Sequence, residues 1–91
     1  MKITSKYEVM LIDDNYILDS AEFDTFDEAL DWSLEYGKNY NVNILHDNIS
    51  YDFRVCDNSI IYYDLYDRTF RHVKKEDVRN ECVSIIDPEQ L

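Results

Sequence analysis

Asp24, Asp27, Glu28, Asp31 and Glu35 follow one another at spacings of three, one, three and four residues. On a helix turning about 100° per residue, these five carboxylates fall within an arc of roughly 100°. Phe26, Ala29, Leu30 and Ser33 fall on the opposite side. The chemistry of such a row is electrostatic. Phosphates along one strand of B-DNA repeat every ~3.4 Å of rise, and helical carboxylates three or four residues apart are separated by about 4.5 to 6 Å, so the two densities are comparable. The stripe is therefore a candidate imitation of a nucleic-acid backbone, to be weighed against an ordinary solvated helix face. A solubilising face usually interleaves Lys or Arg at i+4, whereas residues 7 to 37 contain no basic residue. Asp13, Asp14, Asp19 and Glu22, with Glu8 close by in sequence, widen the row into a candidate field.

Other constellations are poorer in chemistry. His46 and His72 stand far apart in sequence with Cys56 between them, and no nucleophile, base and orienting group follow from that spacing. Asp13-Asp14-Asn15 lacks the further ligands and the glycine of a calcium loop. Gly37 is the only glycine, so no phosphate-cradling glycine loop exists. The expectation is a protein without catalytic activity, cofactor or metal. The cluster Arg68, Arg71, Lys74, Lys75 and Arg79 reads as pairing with the excess acid of its own domain or of a second copy. Eight tyrosines are either β-favoured filling of a small sheet or an interface, where Tyr supplies large area and a polar tip.

Charge and size bound the partners. Twenty acidic against nine basic residues give a net charge of −11 over 91 residues, which repels nucleic acids and anionic membranes. Residues 1–53 carry three basic and twelve acidic side chains, residues 54–91 six and eight, so a charge-driven partner should meet the N-terminal part first. A chain of this length forms one domain, 1–91, and its 45% hydrophobic content suffices for a modest core. Two cysteines, Cys56 and Cys82, suit neither a disulfide framework nor a zinc site. With no apolar signal region at its start and no run long enough to span a bilayer, the chain reads as cytoplasmic, with reduced thiols.

The elements that must position these residues follow from periodicity. Tyr7 to Ile12 and Tyr16 to Phe23 flank Asp13 to Asn15 as a hairpin with a three-residue loop and both faces partly covered. Thr25 and Glu28 form a capping box that opens a helix running to about Tyr36, where Gly37 is expected to supply a left-handed stop. Tyr40, Val42 and Ile44 alternate with Asn, and Ile49, Tyr51, Phe53 and Val55 alternate with polar residues in the cleanest strand of the chain. Asp57-Asn58 turns into Ser59 to Tyr66, which looks like a central strand. Phe70 to Asn80 is ambiguous, with Lys74 to Asn80 as one helical turn or a polar loop, and Glu81 to Asp87 is a last strand ended by Pro88. The order ββαβββ(β) predicts an α+β fold, a mainly antiparallel sheet with one helix packed on a face.

A short acidic chain with a single α+β domain resembles phage-encoded anti-defence proteins, including anti-CRISPR proteins and other DNA mimics. The resemblance lies in overall character, without a residue motif. It implies an inhibitor that blocks a basic, nucleic-acid-binding host protein in the host cytoplasm. The other expectation is an immunity or antitoxin-like module that binds a protein through its tyrosines. Monomer and dimer are both compatible with the sequence.

Overall fold

A computed structural model describes residues 6–64 and 66–85. The strands are β1 (Tyr7–Asp13), β2 (Tyr16–Phe23), β3 (Asn41–His46), β4 (Ile49–Cys56), β5 (Ser59–Asp64), β6 (Thr69–Val73) and β7 (Val83–Ile85). Helix α1 (Phe26–Tyr36) follows β2, and a 3-10 turn (Lys75–Asp77) runs into the single-turn α2 (Val78–Glu81) before β7. All named strands pair antiparallel, in the order β2-β1-β3-β4-β5-β6.

The fold is α+β, as alternation and capping predict, and differs in detail. A second short helix is present, and the ambiguous stretch contains both a strand and the helical turn. The last strand spans Val83–Ile85: Glu81, its expected first residue, closes α2 instead, and its expected end at Asp87 lies outside the described residues. The first hairpin closes on two residues instead of three. Asp13 pairs with Tyr16, leaving Asp14 and Asn15 at φ 49° and 68°, the doubly left-handed turn that matches strand twist. Asp47 and Asp57 also take positive φ, 55° and 53°, so Asp and Asn do close the turns that glycine usually closes.

One face of the sheet carries the core. Tyr7, Val9 and Leu11 of β1, Val42 and Ile44 of β3, and Tyr51, Phe53 and Val55 of β4 are buried beneath Phe26, Ala29 and Leu30 of α1. Ser33, the one polar residue on that helix face, donates its hydroxyl to the Ala29 carbonyl at 2.8 Å and so brings no unsatisfied group inside. Phe26 is the hub, edge-on to Tyr7 and to Tyr51 at 6.0 and 4.8 Å between ring centres. The Arg79 guanidinium lies 5.1 Å over the Phe26 ring and donates to the Tyr7 hydroxyl at 3.0 Å, which ties α2 to the start of the domain.

Two positions depart from expectation for packing reasons. β2 is an edge strand, so its faces are mostly exposed instead of covered. β5 lies between β4 and β6 but is only partly paired on one side. It pairs with β4 only over Arg54–Cys56, while β7 takes the other half of the same β4 edge at Ile49–Tyr51. Beyond Ile61, β5 is paired with β6 alone. The sheet face away from α1 has a polar middle, where Asn43 donates to Ser50 at 2.5 Å and to Asp52 at 2.6 Å, and Arg54 donates to the Asn39 carbonyl at 2.8 Å.

Candidate functional site

The acidic face of α1 starts at a cap the sequence specifies. The Glu28 amide donates to the Thr25 hydroxyl oxygen at 3.2 Å, and that hydroxyl donates back to the Glu28 carboxylate at 3.1 Å. Burial of Phe26, Ala29, Leu30 and Ser33 then leaves Asp27, Glu28, Asp31 and Glu35 pointing to water, with Asp24 just ahead of the first turn. All five are exposed, so the helix presents its carboxylates as one face.

Compensating charge reaches that face from elsewhere in the chain. Lys6 forms an ion pair with Asp24, and Lys75 bonds to Asp31 at 2.5 Å. The Lys6 ammonium is held above its ordinary pKa by the hydrogen bond and charge of Asp24, with smaller pushes from Glu22 and Glu28. Asp31 does the same for Lys75, helped by Asp27 and Glu76. Both pairs are solvent-exposed, a setting in which an ion pair contributes little and weakens with salt. Asp27 and Glu35 have no ion-pair partner among the described residues.

The surrounding carboxylates divide. Asp19 lies opposite Leu11 in the β1–β2 ladder and so belongs to the helix side of the sheet, where its carboxylate accepts from the Ser20 amide at 2.8 Å. Glu22 lies opposite Glu8, and both face the other side, lining a hollow with Met10 and Ser20. Asp13 and Asp14 occupy the hairpin tip. The nine candidate carboxylates are all exposed, yet only Asp24, Asp27, Glu28, Asp31 and Glu35 share one surface, with Asp19 on the same side of the sheet.

The tyrosines also separate. Tyr7 and Tyr51 are core residues, whereas Tyr16, Tyr36, Tyr63 and Tyr66 are exposed. Tyr63 and Phe70 pair edge-to-face across β5 and β6 at 5.2 Å and line a hollow beside Ile12, Asn43 and Asp52 on the face away from α1. The basic cluster is largely spent inside the domain, Arg71 on Asp64 and Asp67, Lys75 on Asp31, and Arg79 on Tyr7 and Phe26. His46 stacks on Tyr7 at 3.9 Å between ring centres. Burial pushes the Cys82 thiol up to about 12, with Glu81 and Asp52 adding to the shift.

A search along the helix for Lys or Arg at i+4 does not find Lys6 or Lys75, because both come from outside α1. The Tyr63–Phe70 pair has a sequence signal in the apolar run Ile60 to Tyr63, but its partner strand carries little apolar alternation. Among the described residues no helix is long and apolar enough to cross a membrane. Compared with models of known protein families, with curated proteins and with solved structures, the chain matches none.

Proposed function

We propose that this chain is a non-catalytic inhibitor, acting in the cytoplasm, that occupies a basic nucleic-acid-binding surface of a host protein with the acidic face of α1. One observation supports this reading above the rest: α1 turns four carboxylates to water with Asp24 just ahead of it, and among the described residues the cations that reach these five, Lys6 and Lys75, do so through exposed ion pairs. Such pairs are exchanged at little cost. Arginines or lysines of a partner can replace them, and Asp27 and Glu35 are open to new ones. Asp27, Asp31 and Glu35 recur at intervals of four residues, about 6 Å of rise each, which sets a row of charge along the helix axis. Asp24, Glu28, Asp19, Asp13 and Asp14 add to the field that steers approach.

The test is capture of host proteins on the immobilised chain, followed by elution with short duplex DNA or with salt. The expected outcome is a nucleic-acid-handling protein released by both. Charge pairs at a surface weaken as the Debye length falls, from ~10 Å at 0.1 M to ~3 Å at 1 M. A second reading, an immunity or antitoxin-like module, draws on the exposed Tyr63–Phe70 pair on the sheet face away from α1. It expects a partner that resists both eluents and is lost on Tyr63→Ala with Phe70→Ala.

A further inference from the structure

The geometry points to a binding site for a small amphipathic anion, a carboxylate on an apolar body, in the groove between the end of α1 and the β4–β5 and β6 ends of the sheet. This site adjoins the acidic face, since Lys75 pairs with Asp31 and Lys38 also borders a hollow lined by Asp31 and Glu35, but it does not rest on the inhibitor reading. The groove encloses about 690 Å3, within the ~300–1,000 Å3 range of small-molecule pockets. Its floor is apolar, made by Leu34, Val55, Ile60 and Val73. Its rim carries Lys38, Lys74, Lys75 and His72.

Charge complementarity selects the ligand. In a chain of net charge −11, cations are scarce and most are engaged. Lys6, Arg71 and Lys75 take carboxylates, and Arg54 and Arg79 donate hydrogen bonds. Among the described basic residues, Lys38, Arg68 and Lys74 form no side-chain hydrogen bond or ion pair, and two of these three stand on this rim. Asp57 and Glu76 also line the groove, and Lys75 is held by Asp31, so Lys38 and Lys74 are the cations left to meet a ligand. Two other hollows have the opposite sign: Glu8 and Glu22 line one, and Asp52, Asp64 and Glu81 another. A polyanion such as nucleic acid would bring its remaining charge against those carboxylates. A monoanion avoids that repulsion, meets Lys38 and Lys74 with its one charge, and buries its apolar body on the floor.

The probe is decanoate, measured by its displacement of anilinonaphthalene sulfonate fluorescence and by amide shifts of the isotope-labelled chain. Decanoate is expected to displace the dye and to shift the amides of Lys38, Ser59 and Val73, while neutral decanol competes at least tenfold more weakly. The double variant Lys38→Gln with Lys74→Gln should bind decanoate at least tenfold more weakly, and Arg68→Gln, which removes the third unengaged cation, should bind as the parent does. If melting shows the double variant to be unfolded, Lys74→Gln alone carries the test, with a smaller loss. Equal binding by the parent and the Lys74 variants, equal competition by decanol, shifts confined to Tyr63 and Phe70, or no decanoate binding up to about 1 mM would each overturn the assignment.

Discussion

Replacing Gly37 by alanine tests how α1 is seated on the sheet. The residue after α1 has φ −96° and ψ 17°, not the left-handed conformation that a glycine at this position usually signals. The left-handed residue is Asn39, at φ 69°. Gly37 is needed for space: a Cβ there would stand 2.5 Å from the Ser33 carbonyl oxygen, 3.0 Å from Leu11 Cδ2 and 3.1 Å from Val42 Cγ2. The two side chains can give by a few tenths of an ångström. The carbonyl is backbone and accepts the Gly37 amide at 2.7 Å, so relief means losing that bond. Overpacking costs ~1–3 kcal/mol and a lost hydrogen bond about 1 kcal/mol, offset by ~0.4–1 kcal/mol from the stiffer unfolded chain. The net is about 2 kcal/mol, or a fall of about 8–16 °C in Tm for a domain of this size. Gly37→Asn should fall at least as far, although Asn tolerates left-handed backbone, and Asn39→Gly should stay within about 0.5 kcal/mol. Thermal melts followed by circular dichroism decide. A Gly37→Ala melt within about 2 °C of the parent, or a mild Gly37→Asn, would refute the close approach of the helix end to β1 and β3.

Thr25→Ala should cost about 1 kcal/mol in urea unfolding by removing the acceptor of the Glu28 amide, and a neutral result would mean the cap is not formed. The Cys82 thiol is held from its ordinary 9.0 up to about 12, so in the folded chain at pH 8 a thiol reagent should modify the half-buried Cys56 and leave Cys82 until unfolding. The raised pKa also fixes a sign. The unfolded chain releases this proton near pH 9 and the folded chain near 12, so the stability it contributes is whole below 9 and is lost as pH rises through that window. The stability gap between the parent and Cys82→Ala should therefore narrow above pH 9, and parallel curves would contradict the burial of that thiol.

What was legible in the sequence is what local periodicity writes. The Thr25–Glu28 cap, the buried set Phe26, Ala29, Leu30 and Ser33, and the alternation of β4 each depend on neighbours within a few residues, and each stands in the structure as read. β6 was ambiguous because four of its five residues are exposed, so no apolar face marks the strand. β5 reads as central from the continuous apolar run Ile60 to Tyr63 and does lie between β4 and β6, yet Ile60 turns to the core while Ile61 and Tyr63 turn to the face away from α1. The acidic row was legible from spacing alone. The lysines that answer it were not, since Lys75 meets Asp31 only through the tertiary fold, and Glu22 leaves the row because strand register, invisible in composition, sets it opposite Glu8.

The central claim is that the acidic face of α1 makes the contact with a nucleic-acid-handling partner. Its most direct test is the affinity of the triple variant Asp27→Asn, Asp31→Asn, Glu35→Gln for the host protein captured by the parent chain, with the melting temperature of both measured alongside. Binding should fall tenfold or more, about 1.4 kcal/mol. Folding should persist, because relief of like-charge repulsion along the helix, ~0.2–0.5 kcal/mol per pair, offsets loss of the weak, solvent-exposed Lys75–Asp31 pair. A folded triple variant that binds the partner as tightly as the parent would contradict the account.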